Sequence, residues 1–206
     1  HPVYHNEERG FWAISRFADV WAATLDLDAL TTGGMEEAKA LKPMLHFLDP
    51  PRHDQLRALV SRAFTFRRVQ EREPKIRRIA RELIEDFASR GECELLEDYA
   101  IPLPGRIIAE MIGVPPDRRE EFLGYTRAIA LGDQSKSLTA SIRDPAEKIY
   151  REFGLLIEER LERRQDDLMS ALIDAEIDGD RLTKDEIEGF CFQLIIAGND
   201  TTTTLI

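Results

Sequence analysis

The sequence predicts a mainly α-helical fold with one small β-hairpin at its start. Three observations carry that prediction. Apolar residues recur at helical spacing through most of the chain. The 12 glycines and 10 prolines among 206 residues fall largely between those periodic stretches. Only the first fourteen residues contain two short strand-like runs, Pro2-Val3-Tyr4-His5 and Gly10-Phe11-Trp12-Ala13-Ile14, joined by polar Asn6 to Arg9.

The helices follow in order. Ser15 is expected to cap a helix over Arg16 to Thr24. An irregular stretch containing Thr31-Thr32-Gly33-Gly34 then leads to Asp49-Pro50-Pro51, where an acid followed by proline suits a helix start. Further helices are expected over roughly 52 to 66, 72 to 90, 101 to 112, 116 to 131, 145 to 164, 167 to 175 and 183 to 206. They are punctuated by Gly91, Gly113-Val114-Pro115-Pro116, Asp144-Pro145 and Asp178-Gly179-Asp180. Connections are mostly short and no repeat is apparent, so residues 1–206 read as a single helical domain or part of one. Trp12 and Trp21 are expected in its core.

Composition narrows the class. With 43% hydrophobic and 33% charged residues, the chain can bury a core and reads as a soluble globular protein. No apolar run approaches the ~18 to 20 residues of a membrane span and no leader opens the chain, which points to the cytoplasm. A net charge of −11, from 28 basic and 39 acidic residues, argues against general nucleic-acid or anionic-membrane binding. Cys93 and Cys191 form no paired spacing, and no metal-ligand pattern is present. Because His1 is no initiator and Ile206 stops inside a predicted helix, the domain is expected to be partial, truncated at both ends.

Two stretches suggest chemistry. The last helix ends Ile196-Ala197-Gly198-Asn199-Asp200-Thr201-Thr202-Thr203-Thr204-Leu205-Ile206. Glycine costs a buried helix up to ~1 kcal/mol relative to alanine, and threonine about half that, so local stability does not explain it. Gly198 would let a flat or diatomic ligand approach the backbone, and Thr201 can turn its hydroxyl onto the carbonyl of Ala197, giving a bulged helix with a polar notch. Asp200, beside it, could relay protons. The same residues also suit threonines that only bond back along their own helix. In the second stretch, Asp49-Pro50-Pro51-Arg52-His53-Asp54-Gln55-Leu56-Arg57, the side chains of His53, Arg57, Val60 and Phe64 fall within about 60° of one another, a face suited to a buried anion. Alone, it equally suits an arginine lying over apolar neighbours with its head in water.

Together the two stretches resemble the cytochrome P-450 family of haem-thiolate monooxygenases in its soluble bacterial form. Ala197-Gly198-Asn199-Asp200-Thr201-Thr202 is similar to the family's oxygen-activating Ala/Gly-Gly-x-Asp/Glu-Thr-Thr, and Asp49 to Arg57 to its Asp-Pro-Pro-x-His-x-x-x-Arg. Weaker likenesses lie in Arg62-Ala63-Phe64-Thr65 with Arg67-Arg68-Val69, in Asp167-Leu168-Met169-Ser170-Ala171-Leu172, and in Asp180-Arg181-Leu182-Thr183. The resemblance implies the N-terminal half of the family fold, with a long oxygen-binding helix at its C-terminal end. It implies haem b and dioxygen, His53 and Arg57 on the haem propionates, Ala197 and Gly198 shaping the oxygen pocket, Thr201 hydrogen-bonding the bound oxygen and Asp200 delivering protons. A ferredoxin or flavin-containing reductase would supply electrons near Arg62, Arg67 and Arg68. The substrate would be a lipophilic small molecule, met by residues 30 to 48 and 125 to 145. Asn199 is shared with family members acting on isoprenoids, alkyl chains and sterols. The family's Glu-x-x-Arg and cysteine loop are absent, so the axial cysteine is expected beyond Ile206 and the chain alone is expected to be inactive. The alternative is a non-catalytic helical binding or interaction module, a degenerate relative of the family.

Overall fold

The computed structural model describes residues 2–32, 41–131 and 138–206. Strands β1 (Val3–Asn6) and β2 (Phe11–Ile14) pair antiparallel with Val3 opposite Ile14 and Asn6 opposite Phe11. The turn between them closes on Asn6 Oδ1, which accepts from the Arg9 amide at 2.9 Å. Helix α1 covers Phe17–Leu25, but Ser15 does not cap it: the Ser15 amide and hydroxyl both donate to the Pro2 carbonyl, at 3.0 and 3.4 Å, and extend the hairpin instead. Trp12 and Trp21 are likewise not core residues, being 67% and 59% exposed. Their indoles stack on local partners, Trp12 on His5 at 4.2 Å and Trp21 on Phe17 at 6.1 Å.

After a short 3-10 turn at Leu45–Phe47 come α2 (Arg52–Ala63), α3 (Phe66–Gln70) and α4 (Glu73–Ala88). A π turn at Leu96–Ala100 leads into α5 (Pro102–Ile112), then α6 (Arg119–Leu131), α7 (Leu138–Glu162), α8 (Leu168–Ile173) and α9 (Lys184–Leu205). A two-residue hairpin of β3 (Glu176–Ile177) and β4 (Asp180–Arg181) precedes α9. Its turn uses Asp178 and Gly179 at φ +53° and +84°, the left-handed region that an Asp-Gly pair supplies.

Pro145 does not begin a helix; it lies inside α7. Proline removes a single backbone donor, whereas buried Ile142, Ala146, Ile149, Phe153, Leu156 and Ile157 form one apolar stripe that continues across it. The region 125 to 145, one of the two expected substrate stretches, is helical on both sides of residues 132–137, which lie outside the described residues, as do residues 33–40 of the other.

The core lies among α5, α6, α7, α8 and α9, with Phe122 and Phe153 6.0 Å apart and Tyr150 and Phe192 5.0 Å apart. Asp167 caps α8 by accepting from the Ser170 amide at 2.8 Å. It also pairs with buried Arg160 at 2.6 Å, and Arg160 donates in turn to the Gly113 carbonyl at 2.8 Å. Gly113, at φ +101°, ends α5, and a Cβ there would come within 2.3 Å of Asp167 Oδ2. Gly189 is equally constrained, since a Cβ would lie 1.9 Å from the Pro43 carbonyl oxygen that rests on α9. No described helix is long and apolar enough to cross a membrane.

Candidate functional site

Two helices carry the residues singled out from sequence, α2 and α9, and Arg52 ties them together. Its Nε and Nη2 donate to the two carboxylate oxygens of Glu186 at 2.7 and 2.8 Å, and its Nη1 donates to Asp180 at 2.5 Å. A planar guanidinium suits this forked contact as no other side chain does. Glu186 belongs to the capping box that starts α9: it accepts from the Thr183 amide and hydroxyl at 2.8 and 3.0 Å, while the Thr183 hydroxyl accepts from the Glu186 amide at 3.2 Å. Burial alone would raise the Glu186 carboxyl; the Arg52 fork and the Thr183 donors outweigh burial and hold it below the usual carboxylate range. Sequence reasoning passed over Arg52, although Thr183-x-x-Glu186 before an apolar run is a readable capping signal. A second bridge is the 3-10 turn at Leu45–Phe47, which touches both helices and whose Leu45 amide donates to Gln193 Oε1 at 2.7 Å.

His53 is half-buried, with Nδ1 2.8 Å from Asp54 Oδ1. Arg57, one turn later, is exposed, and its guanidinium has no partner among the described residues. Farther along the same helix and just past its end, Val60 is buried and Phe64 meets Phe190 of α9 edge-on at 6.0 Å. The α2 face therefore runs from an unpaired cation to an apolar seat on α9.

On α9 the Thr201 hydroxyl donates to the Ala197 carbonyl at 2.7 Å. No bulge accompanies it: Lys184–Leu205 is α-helical throughout, because a carbonyl has a second lone pair and can accept the hydroxyl without releasing its backbone partner. Ala197, Asp200 and Thr201 are exposed, and the Asp200 carboxylate has no partner among the described residues. The structure gives Gly198 a packing role. Its Cβ direction points at Ile108 Cδ1 of α5, 2.9 Å away, so the missing side chain serves close helix packing. Thr203 donates to the Ala100 carbonyl at 3.0 Å, pinning α9 to the π turn, and Thr204 donates to the Asp200 carbonyl at 2.9 Å.

Haem fits these residues in part. An unpaired guanidinium and a neighbouring imidazole suit two carboxylates, and small Ala197 with Thr201 leaves one exposed face of α9 open to a flat ring. The axial thiolate has no candidate. Cys191 is fully buried on the core side of α9, where burial pushes its thiol up, and Cys93 is exposed in the connection after α4. No group of three or more His, Cys, Asp or Glu gathers among the described residues.

No family model matches the chain. Individual relatives do. The putative cytochrome P450 YjiB of Bacillus subtilis is 33% identical over 211 residues, covering 100% of this chain and 53% of the relative. The structure of cytochrome P450 CYP109Q5 from Chondromyces apiculatus superposes with a TM-score of 0.84 at 35% identity, over 100% of this chain and 53% of that one. The chain belongs to the cytochrome P450 family. CYP109E1 of Bacillus megaterium, solved with testosterone, is similar too, with a TM-score of 0.82, 33% identity and 98% of this chain matched against 53% of its own. This P450 chain spans about half the length of the relatives it matches. The two stretches singled out from sequence thus lie on a fold of the expected family, with the family's small hairpin and long helix in place.

Proposed function

We infer that the chain forms the haem-facing half of a monooxygenase that inserts one atom of dioxygen into a lipophilic small molecule, by hydroxylation or epoxidation. The observation that carries this reading is the exposed face that Ala197, Asp200 and Thr201 form on α9, with Thr201 turned onto the Ala197 carbonyl, on a helix clamped to the α2 that presents unpaired Arg57. Haem, when bound, supplies the oxygen chemistry.

The chain's own residues supply position and protons. His53 and Arg57 hold carboxylates by charge-assisted hydrogen bonds and so fix the ring's register against α9. Thr201 carries one hydroxyl proton, directed at Ala197, and its free lone pairs face the exposed side. Asp200, one residue away and open to water, takes up and passes on protons from solvent. Electrons come from a ferredoxin or flavin-containing reductase, and Arg67 of α3, highly exposed although paired with Glu71 at 2.9 Å, offers it a cationic contact. The testosterone bound by CYP109E1 supports a lipophilic substrate, consistent with the sterol, isoprenoid or alkyl class suggested by Asn199.

The test is the carbon monoxide difference spectrum of the reduced full-length protein. A thiolate-haem band supports the enzyme. A protein that folds and takes up no haem supports the non-catalytic binding module.

A further inference from the structure

We propose that the cavity between α3, α4 and α5 is a binding site for a small amphiphilic carboxylate, whose apolar group enters the cavity and whose charge is met by Arg72 and Lys75. The cavity holds about 110 Å³, of the order of the ~150 Å³ dry cavities that take up benzene. Ile76 and Ile79 of α4, Ile107 and Met111 of α5, Val69 of α3 and Phe64 just before it supply the walls. Ile79, 3% exposed, marks the inner end, and Val69, 55% exposed, stands with exposed Lys75 at the mouth. A water inside a protein needs two to four polar partners, which such walls do not offer, so an apolar group is the better occupant.

The charges at the mouth select the head group. Three charged side chains line the cavity, those of Glu110, Arg72 and Lys75. Glu110 is already spent, because it receives Arg78 at 2.7 Å and Arg119 at 3.3 Å. The acids nearest in sequence are spent too, Glu71 on Arg67 at 2.9 Å and Glu73 on Arg77 at 2.8 Å. Arg72, half-buried, and Lys75, exposed, have no side-chain partner among the described residues. Two uncommitted cations beside an apolar cavity repel a third and attract an anion. They occupy the N-cap and the first turn of α4, where the helix dipole adds to that preference. The planar fork of Arg72 matches the two oxygens of a carboxylate.

No residue of α9 lines the cavity, so the site is separate from the proposed oxygen face. Its occupancy requires no haem.

The experiment follows the Met111 methyl signal of the full-length protein, labelled with carbon-13 methyl methionine and assigned by its loss in Met111→Leu. The probes are 3-phenylpropionate, 3-phenylpropanol and 3-phenylpropylammonium. A phenyl ring inside the cavity shifts that signal through its ring current, an effect too short-ranged for a ligand elsewhere on the protein to mimic. The carboxylate is expected to saturate the shift at a concentration about tenfold or more below the alcohol, and the ammonium to cause none. Arg72→Gln with Lys75→Gln should erase the carboxylate's advantage while the alcohol binds as before. Ile76→Phe fills the cavity from a partly exposed position and should weaken the carboxylate about tenfold or more, testing the apolar half independently of the charges. A Met111 signal that 3-phenylpropionate does not shift would overturn the proposal, and is the result expected if another part of the full-length protein covers the cavity. Equal affinity for carboxylate and alcohol, an advantage that survives the double variant, or carboxylate binding untouched by Ile76→Phe would overturn it as well.

Discussion

At the first turn of α9 the side chains of Thr183, Lys184, Asp185 and Glu186 all have partners, whereas four turns later the polar side chains of Asp200 and Thr201 face outward with little to hold. Glu186 there receives Arg52 and Thr183 together. Asp200 receives nothing on its carboxylate, and Thr201 bonds only within its own helix. The same contrast separates Arg52 from Arg57 on α2. One guanidinium is consumed by the fold, and the other, five residues on, is unspent. Paired charges hold the scaffold; unpaired ones are available to a ligand.

Breaking the scaffold end should have the largest effect. Arg52→Ala strands a mostly buried carboxylate and should destabilise the protein by about 3 kcal/mol, read as a lower urea midpoint at neutral pH. The pH dependence sharpens this. Because the folded-state pKa of Glu186 is depressed, its contribution is present above the ordinary carboxylate range and is lost as pH falls through the lowered value. Acid titration of stability from about pH 5 to pH 2 should therefore show a loss in the parent that Arg52→Ala has already suffered. A variant of parental stability, with parental acid sensitivity, would mean that the fork does not hold α9.

At the ligand end the effects should move from folding to cofactor retention. His53→Ala with Arg57→Ala should change stability of the haem-free protein by no more than about 0.5 kcal/mol, since neither side chain is spent on the fold. Haem transfer to an acceptor protein should be faster from the loaded double variant. Equal release rates would show that these side chains point elsewhere.

The smallest effect is expected outside both helices' contact. Arg67→Glu with Arg62→Glu should slow reduction by an acidic ferredoxin and flatten its salt dependence. Both arginines already have one partner, Arg62 the Glu176 carbonyl at 2.8 Å and Arg67 the Glu71 carboxylate at 2.9 Å, so the effect should be modest. Unchanged rates across a salt series would remove the patch from the electron path.

Much of this was legible before the structure. Helical period and the Asp178-Gly179 punctuation are local signals, and most elements fall near their expected bounds. What sequence misplaced depended on tertiary context. Ser15 had two possible partners and the hairpin carbonyl won. Pro145 marks a break only where no longer apolar stripe overrides it, and Trp12 and Trp21 are apolar without being covered. At the site, the Thr201 bond to Ala197 was readable because both partners lie within one helical turn. The Arg52–Glu186 fork was not, being 134 residues apart in sequence. The approach of Ile108 to Gly198 was not readable either, because glycine signals close approach without naming what approaches.

The central claim, that the outward face of α9 handles oxygen, is tested most directly by coupling in the haem-loaded full-length enzyme: product formed per reduced nicotinamide consumed, with hydrogen peroxide assayed in parallel. Thr201→Val keeps shape and removes the hydroxyl, so it should retain haem and substrate while diverting reducing equivalents to peroxide. Thr203→Val, whose hydroxyl serves the Ala100 carbonyl, should cost about 1 kcal/mol of stability and leave coupling near the parent's. Equal coupling in the parent and both variants would contradict the account and leave these threonines with packing alone.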